Sequence, residues 1–93
     1  MKKKQYIVYE DPGHGWLKTT RVELVRLGIA DKISSCSYQR GKYVYLEEDC
    51  DLPKLHSAKT ALGFEVTFKE LVTDRSSKIR SYEPYSQEVL CPQ

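Results

Sequence analysis

The amino-acid sequence predicts an α+β domain, a small and mostly antiparallel sheet of about five strands with two helices packed on one face. Three observations predict it. Runs rich in β-branched and aromatic residues twice flank a glycine-containing turn, as hairpins do. Two other segments open on a helix-start signal and carry apolar residues at helical spacing. A last run alternates apolar and polar residues after the second helix, so the order is hairpin, helix, hairpin, helix, strand.

Gln5-Tyr6-Ile7-Val8-Tyr9-Glu10 reads as a strand that ends at the turn Asp11-Pro12-Gly13, and Gly15-Trp16-Leu17-Lys18 pairs back as its second arm. The intervening glycines are expected to supply positive φ angles for the reversal. Thr20 and Glu23 have the spacing of a capping box, which starts a two-turn helix with Val22, Leu24, Val25 and Leu27 on its buried side. Arg21, Glu23 and Arg26 form the wet side, and Gly28 stops the helix with Ile29 packing back. Ser35-Cys36-Ser37-Tyr38 and Tyr43-Val44-Tyr45-Leu46 flank the loop Gln39-Arg40-Gly41-Lys42. The period of two in the second arm sends Val44 and Leu46 to the core and leaves Tyr43 and Tyr45 half exposed. Asp51 caps a second helix through Leu52-Pro53, with Leu52, Leu55, Ala58 and Leu62 as its stripe and Gly63 as its end. Phe64-Glu65-Val66-Thr67-Phe68 is a half-buried strand extending toward Leu71 and Val72. Beyond Thr73 the pattern loosens, and Lys78-Ile79-Arg80-Ser81-Tyr82 reads as a short edge strand before a frayed end at Pro84.

The 93 residues fit a single domain, 1–93, in which 73–93 forms a less regular basic tail. At 40% hydrophobic and 30% charged, with 15 basic and 13 acidic side chains, the chain is apolar enough to fold, which excludes wholesale disorder. A core of this size supplies roughly 3–5 kcal/mol, so a partner or self-association would add to its stability. No stretch approaches the length of a membrane span, and Lys2-Lys3-Lys4 leads into a strand-like run rather than an apolar signal region. A cytoplasmic location is expected. Cys36, Cys50 and Cys91 are odd in number and scattered, without the spacing of zinc ligands or of a disulfide framework, so three reduced thiols are expected and no metal or cofactor.

His14, between two glycines, has the accessibility of a general base but no nucleophile or second base near it in sequence. A turn whose glycines set the backbone, with Trp16 covering the core edge, accounts for the same residues, and an enzyme is not expected. Glu47-Glu48-Asp49-Cys50-Asp51 concentrates carboxylates at a helix start. A solvated cap comes first, an acidic docking patch second, and a cation site third, since no glycine interrupts the run. Arg75, Lys78 and Arg80, with Tyr82 and with Lys2 to Lys4, form the best basic cluster, suited to phosphate. His56 reads as a surface residue on the second helix.

The segments Tyr9-Glu10-Asp11-Pro12-Gly13-His14-Gly15-Trp16-Leu17, Leu27-Gly28-Ile29, Ser37-Tyr38, Tyr45-Leu46-Glu47-Glu48-Asp49-Cys50-Asp51 and Arg75-Ser76-Ser77-Lys78-Ile79-Arg80-Ser81-Tyr82 together resemble a group of short uncharacterised proteins of phages and plasmids of Gram-negative bacteria. The group brings no activity with it. The resemblance implies a mobile-element accessory protein in the bacterial cytoplasm that binds and inhibits a host protein or ribonucleoprotein complex of the defence machinery, as an anti-CRISPR does. The partner-binding residues expected on this reading are Glu47, Glu48, Asp49, Arg75, Lys78, Arg80 and Tyr82. The alternative is a small DNA- or RNA-binding protein that uses the basic C-terminal segment.

Overall fold

The computed structural model of the protein describes residues 2–87, so Cys91 and the end of the expected basic tail lie outside the described residues. Strand β1 (Lys2–Glu10) reverses into β2 (Gly15–Thr20), followed by helix α1 (Arg21–Arg26), β3 (Tyr38–Arg40) and β4 (Tyr43–Glu47). Helix α2 (Leu52–Ala61), β5 (Phe64–Val72) and the two-residue β6 (Glu83–Pro84) complete the order. Short 3₁₀ turns occupy Ala30–Lys32 and Lys78–Ser81.

The sheet has six strands in the order β5-β1-β2-β4-β3-β6, and it is mixed. Four of its five pairings are antiparallel, as expected of a mostly antiparallel sheet; the count is six strands rather than about five, and the β1–β5 pairing is parallel. β5 runs parallel to β1 along its whole length, from Lys2 opposite Phe64 to Glu10 opposite Val72. The reason is the helical crossover: α2 carries the chain back to the end at which β4 began, so β5 must run in the direction of β4. Since β4 and β1 both pair antiparallel to β2, that direction is also the direction of β1.

The aliphatic core lies between the sheet and the two helices. Tyr6, Val8, Leu17, Val44 and Leu46 from the sheet enclose Leu24 of α1 and Leu55 of α2, with Ile29, Ile33 and Tyr85 closing its sides. Thr20 caps α1 as its sequence predicts, its side chain accepting the Glu23 amide at 3.2 Å. Gly28, at φ 73°, ends the helix, and the Ile29 amide reaches back to the Leu24 carbonyl at 3.0 Å.

The burial of α1 differs from expectation. Only Leu24 is buried, and Val22 (57%) and Val25 (62%) are exposed. They point away because the carboxylate of Glu23 is turned inward, accepting from Tyr6 Oη (2.8 Å) and Thr19 Oγ1 (2.6 Å) and pairing with Lys59 Nζ at 3.2 Å. Burial would raise the pKa of Glu23, yet these donors hold it below its ordinary value. On α2 the stripe holds at Leu52, Leu55 and Ala58, but Leu62 is 58% exposed past the end of the helix. Tyr45 is buried rather than half exposed, while Tyr43 is half-buried.

The second hairpin is displaced along the chain, with β3 beginning at Tyr38 and the reversal made by Gly41 at φ 59°. The segment from Ser34 to Ser37 does not extend, because the side chains of Ser34 and Ser37 at its two ends both turn to Asp51. Asp51 occupies the N-cap position of α2, but its side chain caps no helix amide; the carboxylate is fully buried and accepts from the Ser34 amide and hydroxyl, from Ser37 Oγ, and from Lys54 Nζ at 2.9 Å. The Ser37 hydroxyl in turn accepts the Glu47 amide at 2.9 Å, so one network joins the β3 approach to the β4 exit. Lys78–Ser81 is a 3₁₀ turn rather than a strand, and Pro84 sits in the terminal edge strand.

Replacing Asp51 by alanine removes the acceptor of two serine hydroxyls and of the Ser34 amide and leaves Lys54 only the Lys32 carbonyl, and is expected to cost about 3 kcal/mol in urea denaturation. Burial would raise the Asp51 pKa, but Ser37, Lys54 and Ser34 hold it lowered. Its contribution is therefore complete above about pH 4 and is lost as pH falls through the folded-state value, so the gap between wild type and Asp51→Ala should close in acid.

Candidate functional site

The turn between β1 and β2 is built on Asp11. Its buried carboxylate accepts from the Gly13 and His14 amides at 2.9 and 3.0 Å, from the Ser77 amide at 2.9 Å, and from Arg80 through Nε (2.6 Å) and Nη2 (2.9 Å). The turn glycines do not adopt positive φ, contrary to expectation. Gly13 instead leaves room for the Arg80 guanidinium, which Asp11 holds in place. A Cβ on Gly13 would lie 2.8 Å from Arg80 Nη2, and one on Gly15 would lie 2.9 Å from the Glu48 carboxylate. The Arg80 guanidinium holds the Asp11 carboxyl well below the usual carboxylate range; burial opposes this, and the Ser77, Gly13 and His14 amides reinforce it.

His14 has a partner that its sequence neighbourhood did not suggest. Its Nδ1 lies 3.1 Å from Glu47 Oε2. Glu47 is buried, and its other oxygen accepts the Asp49 and Cys50 amides, both at 2.9 Å, which closes the loop into α2. Burial would raise the Glu47 pKa, but these amides, the Cys50 thiol and His14 lower it. Oxygens of Glu47, Glu48 and Asp49 lie within 4.8 Å of one another, although those of Glu47 already serve the loop and His14. The Cys50 thiol is pushed up to about 12 by its hydrogen bonds with Cys36 and Glu47. Glu10 is also raised, by burial and by the carboxylates of Glu70 and Glu48, so this end of the sheet is acidic.

The sheet face away from the helices is aromatic. Trp16, Tyr45 and Ile79 are buried there, with Tyr9, Tyr38, Tyr43 and Tyr82 partly buried around them. The turn Lys78–Ser81, tied down through Asp11, covers this face with Ile79 and places the Arg80 guanidinium 5.4 Å from the Trp16 ring centre. Tyr38 meets Trp16 edge-on at 6.3 Å, and Tyr82 packs on Tyr45 at 5.2 Å. The Trp16 Nε1 has no hydrogen-bond partner among the described residues, so the indole is held by packing against Tyr38, Ile79 and the Arg80 guanidinium.

Away from that turn the face is basic. Lys18 Nζ sits 4.0 Å and Lys42 Nζ 5.3 Å from the centre of the Tyr43 ring, and Arg40 lies 5.1 Å over Tyr82. Among the described residues, the ion pairs engage none of these three cations. The face continues into a cleft of ≈ 450 Å³ where β1 and β2 separate. The two strands pair only at Val8–Glu10 and Gly15–Leu17, so Lys4 and Gln5 stand apart from Lys18 and Thr20 across the opening, with Tyr43 at its edge.

The structure gathers some of the expected binding residues and separates others. Glu47, Glu48 and Arg80 meet at the Asp11 turn, where Glu47 and Arg80 have internal partners. Tyr82 is half-buried beneath Arg40, and Asp49, Arg75 and Lys78 are exposed. Lys2 to Lys4 lie at the far end of β1 from the Asp11 turn, with Lys2 over Phe64 and Lys4 over Tyr6, so they do not join the C-terminal cluster. Lys18, Arg40 and Lys42 were not singled out in the sequence. The interleaving of basic and aromatic residues in Tyr38-Gln39-Arg40-Gly41-Lys42-Tyr43 was the available signal.

No protein-family model matches the chain, and no curated protein or solved structure matches it.

Because the Asp11 pKa is depressed in the folded state, its tie to Arg80 is complete above about pH 4 and is lost only as the pH falls through the folded-state value. Carbon-detected NMR should find the Asp11 carboxyl still ionised at about pH 3, where an unperturbed aspartic acid is mostly protonated. A midpoint near the ordinary value would contradict the observed geometry.

Proposed function

We propose that this protein is a non-enzymatic binding protein whose helix-free sheet face docks on an anionic surface of a larger complex and blocks it. The observation that supports this reading is the set Lys18, Arg40 and Lys42, which lie over tyrosine rings without any carboxylate partner among the described residues. A cation already neutralised within its own chain has little to offer a partner. These three are unpaired, and the rings beneath them restrict their motion, so less side-chain freedom is lost on binding. Unpaired charge of one sign on an open face speeds encounter and sets orientation. The acidic end at Glu10, Glu48 and Asp49 gives the same molecule a second, opposite patch that fixes the direction of docking.

The resemblance to short phage and plasmid proteins suggests the class of complex, a host defence assembly such as a CRISPR effector, for which the protein would serve as an anti-CRISPR. A ribonucleoprotein presents both phosphate and acidic protein surface, and the basic face fits either. The second reading is direct DNA or RNA binding. It is favoured by the half-buried Tyr43 and Tyr82, on which bases can stack once Lys18 and Arg40 move to phosphate.

Capture from defence-proficient bacterial lysate, with and without nuclease, separates the two. The proposal expects one defined complex that survives nuclease, and a loss of that complex when Lys18, Arg40 and Lys42 are all changed to alanine. Recovery of nuclease-sensitive material alone would replace it with the nucleic-acid reading. Undiminished capture by the triple variant would remove this face from the interaction.

A further inference from the structure

The two edges of the sheet are treated differently by the sequence. One edge ends in β6, two residues long and containing Pro84, which is the kind of blunt edge that resists further pairing. The other ends in β5, nine residues long, without proline, paired to β1 in unbroken register and exposed on both faces from Thr67 to Val72. Parallel strands are ordinarily covered on both faces, and a long open edge is ordinarily protected. Among the described residues no side chain or loop hydrogen-bonds to the outer backbone of β5, apart from the linkage of Thr73 to Glu10 beyond its end.

Around Thr67 the side chains of β5, from Glu65 to Lys69, are complementary to their own reversal. In an antiparallel pair centred on Thr67, Glu65 faces the copy's Lys69 and Lys69 faces the copy's Glu65. On the other side of the strand Val66 meets Phe68 and Phe68 meets Val66, apolar against apolar next to the axis, while farther out Phe64 meets Glu70. Neither Glu65 nor Lys69 has an ion-pair partner within its chain among the described residues. Moving the centre to Phe68 sets Glu65 against Leu71 and Thr67 against Lys69, and moving it two residues, to Lys69, sets the lysine against itself. Charge therefore selects the register centred on Thr67.

We propose that β5 pairs with β5 of a second copy of this chain, antiparallel about Thr67, to form a two-fold dimer with one continuous sheet. Main-chain hydrogen bonds along the strand supply the attraction, and the two Glu65–Lys69 pairs set the register. The paired edge lies beyond β1, and β2, β4 and β3 on its other side stay open to a partner.

Sedimentation equilibrium on the full chain tests this, with circular dichroism to confirm folding of each variant. The wild type is expected to dimerise. Glu65→Lys and Lys69→Glu each replace two attractive contacts by two repulsive ones and should weaken the dimer by roughly tenfold or more. An equimolar mixture of these two variants should form a heterodimer, because every pair across the two-fold is again of opposite sign. The double variant carrying both changes in one chain should dimerise as the wild type does. A monomeric wild type would overturn the proposal, and so would a dimer that ignores the charge reversals.

Discussion

The carboxylate of Asp11 is the constraint on which the rest of this structure turns. Two of its contacts, to the Gly13 and His14 amides, shape the first reversal of the chain, and the others hold Ser77 and Arg80, which are 66 and 69 residues distant. A single ionised group thereby fixes where β1 ends and where the C-terminal segment lies. Once Arg80 is held, Ile79 falls on Trp16 and Tyr45, and with Tyr82 it gives the aromatic face its cover from the C-terminal segment. Burying such a charge is costly unless its donors are arranged in advance, which the turn and the Ser77 amide accomplish together.

The sheet thus separates two kinds of packing. Toward the helices the side chains are mostly aliphatic and fully enclosed, and the buried polar groups Asp51 and Glu23 are satisfied by serine, threonine, tyrosine and lysine donors. On the opposite face the rings pack edge to face under cations, and cover is partial. A six-residue helix and a ten-residue helix fill one side of the sheet and leave nothing for the other. That asymmetry is why the basic surface forms where it does. Lys18, Arg40 and Lys42 project from strands β2 and β3 and from the β3–β4 turn, positions that two helices on the opposite face cannot cover.

Signals confined to a few neighbouring residues were legible in the sequence. Thr20, Gly28 and Gly41 mark boundaries through their own backbone chemistry, and Val44, Leu46 and Leu55 reach the core as their periodicity requires. What depended on distant partners was not legible. Asp51 has the position of a helix cap, but its hydrogen bonds go to serines up to 17 residues earlier, and only the folded chain brings them together. The pairing of His14 with Glu47, and the inward turn of Glu23 that leaves Val22 exposed, have the same origin. The parallel placement of β5 follows from the crossover and not from any residue of β5. Of the candidate surface, the acidic run and Arg80 were visible as charges, but the structure spends Glu47 and Arg80 on internal contacts, and the unpaired cations that lie over tyrosine rings on the open face are Lys18, Arg40 and Lys42.

The role given to Asp11 is tested most directly by backbone amide exchange in an Asp11→Ala variant. The wild type should protect the Ile79, Arg80 and Tyr82 amides, which donate to Ser77 Oγ, the Ser77 carbonyl and the Ile79 carbonyl. In the variant these three are expected to exchange as in an untethered segment while the amides of β4 stay protected. Equal protection in both proteins would contradict the account and assign the hold on the C-terminal segment to its ring contacts alone.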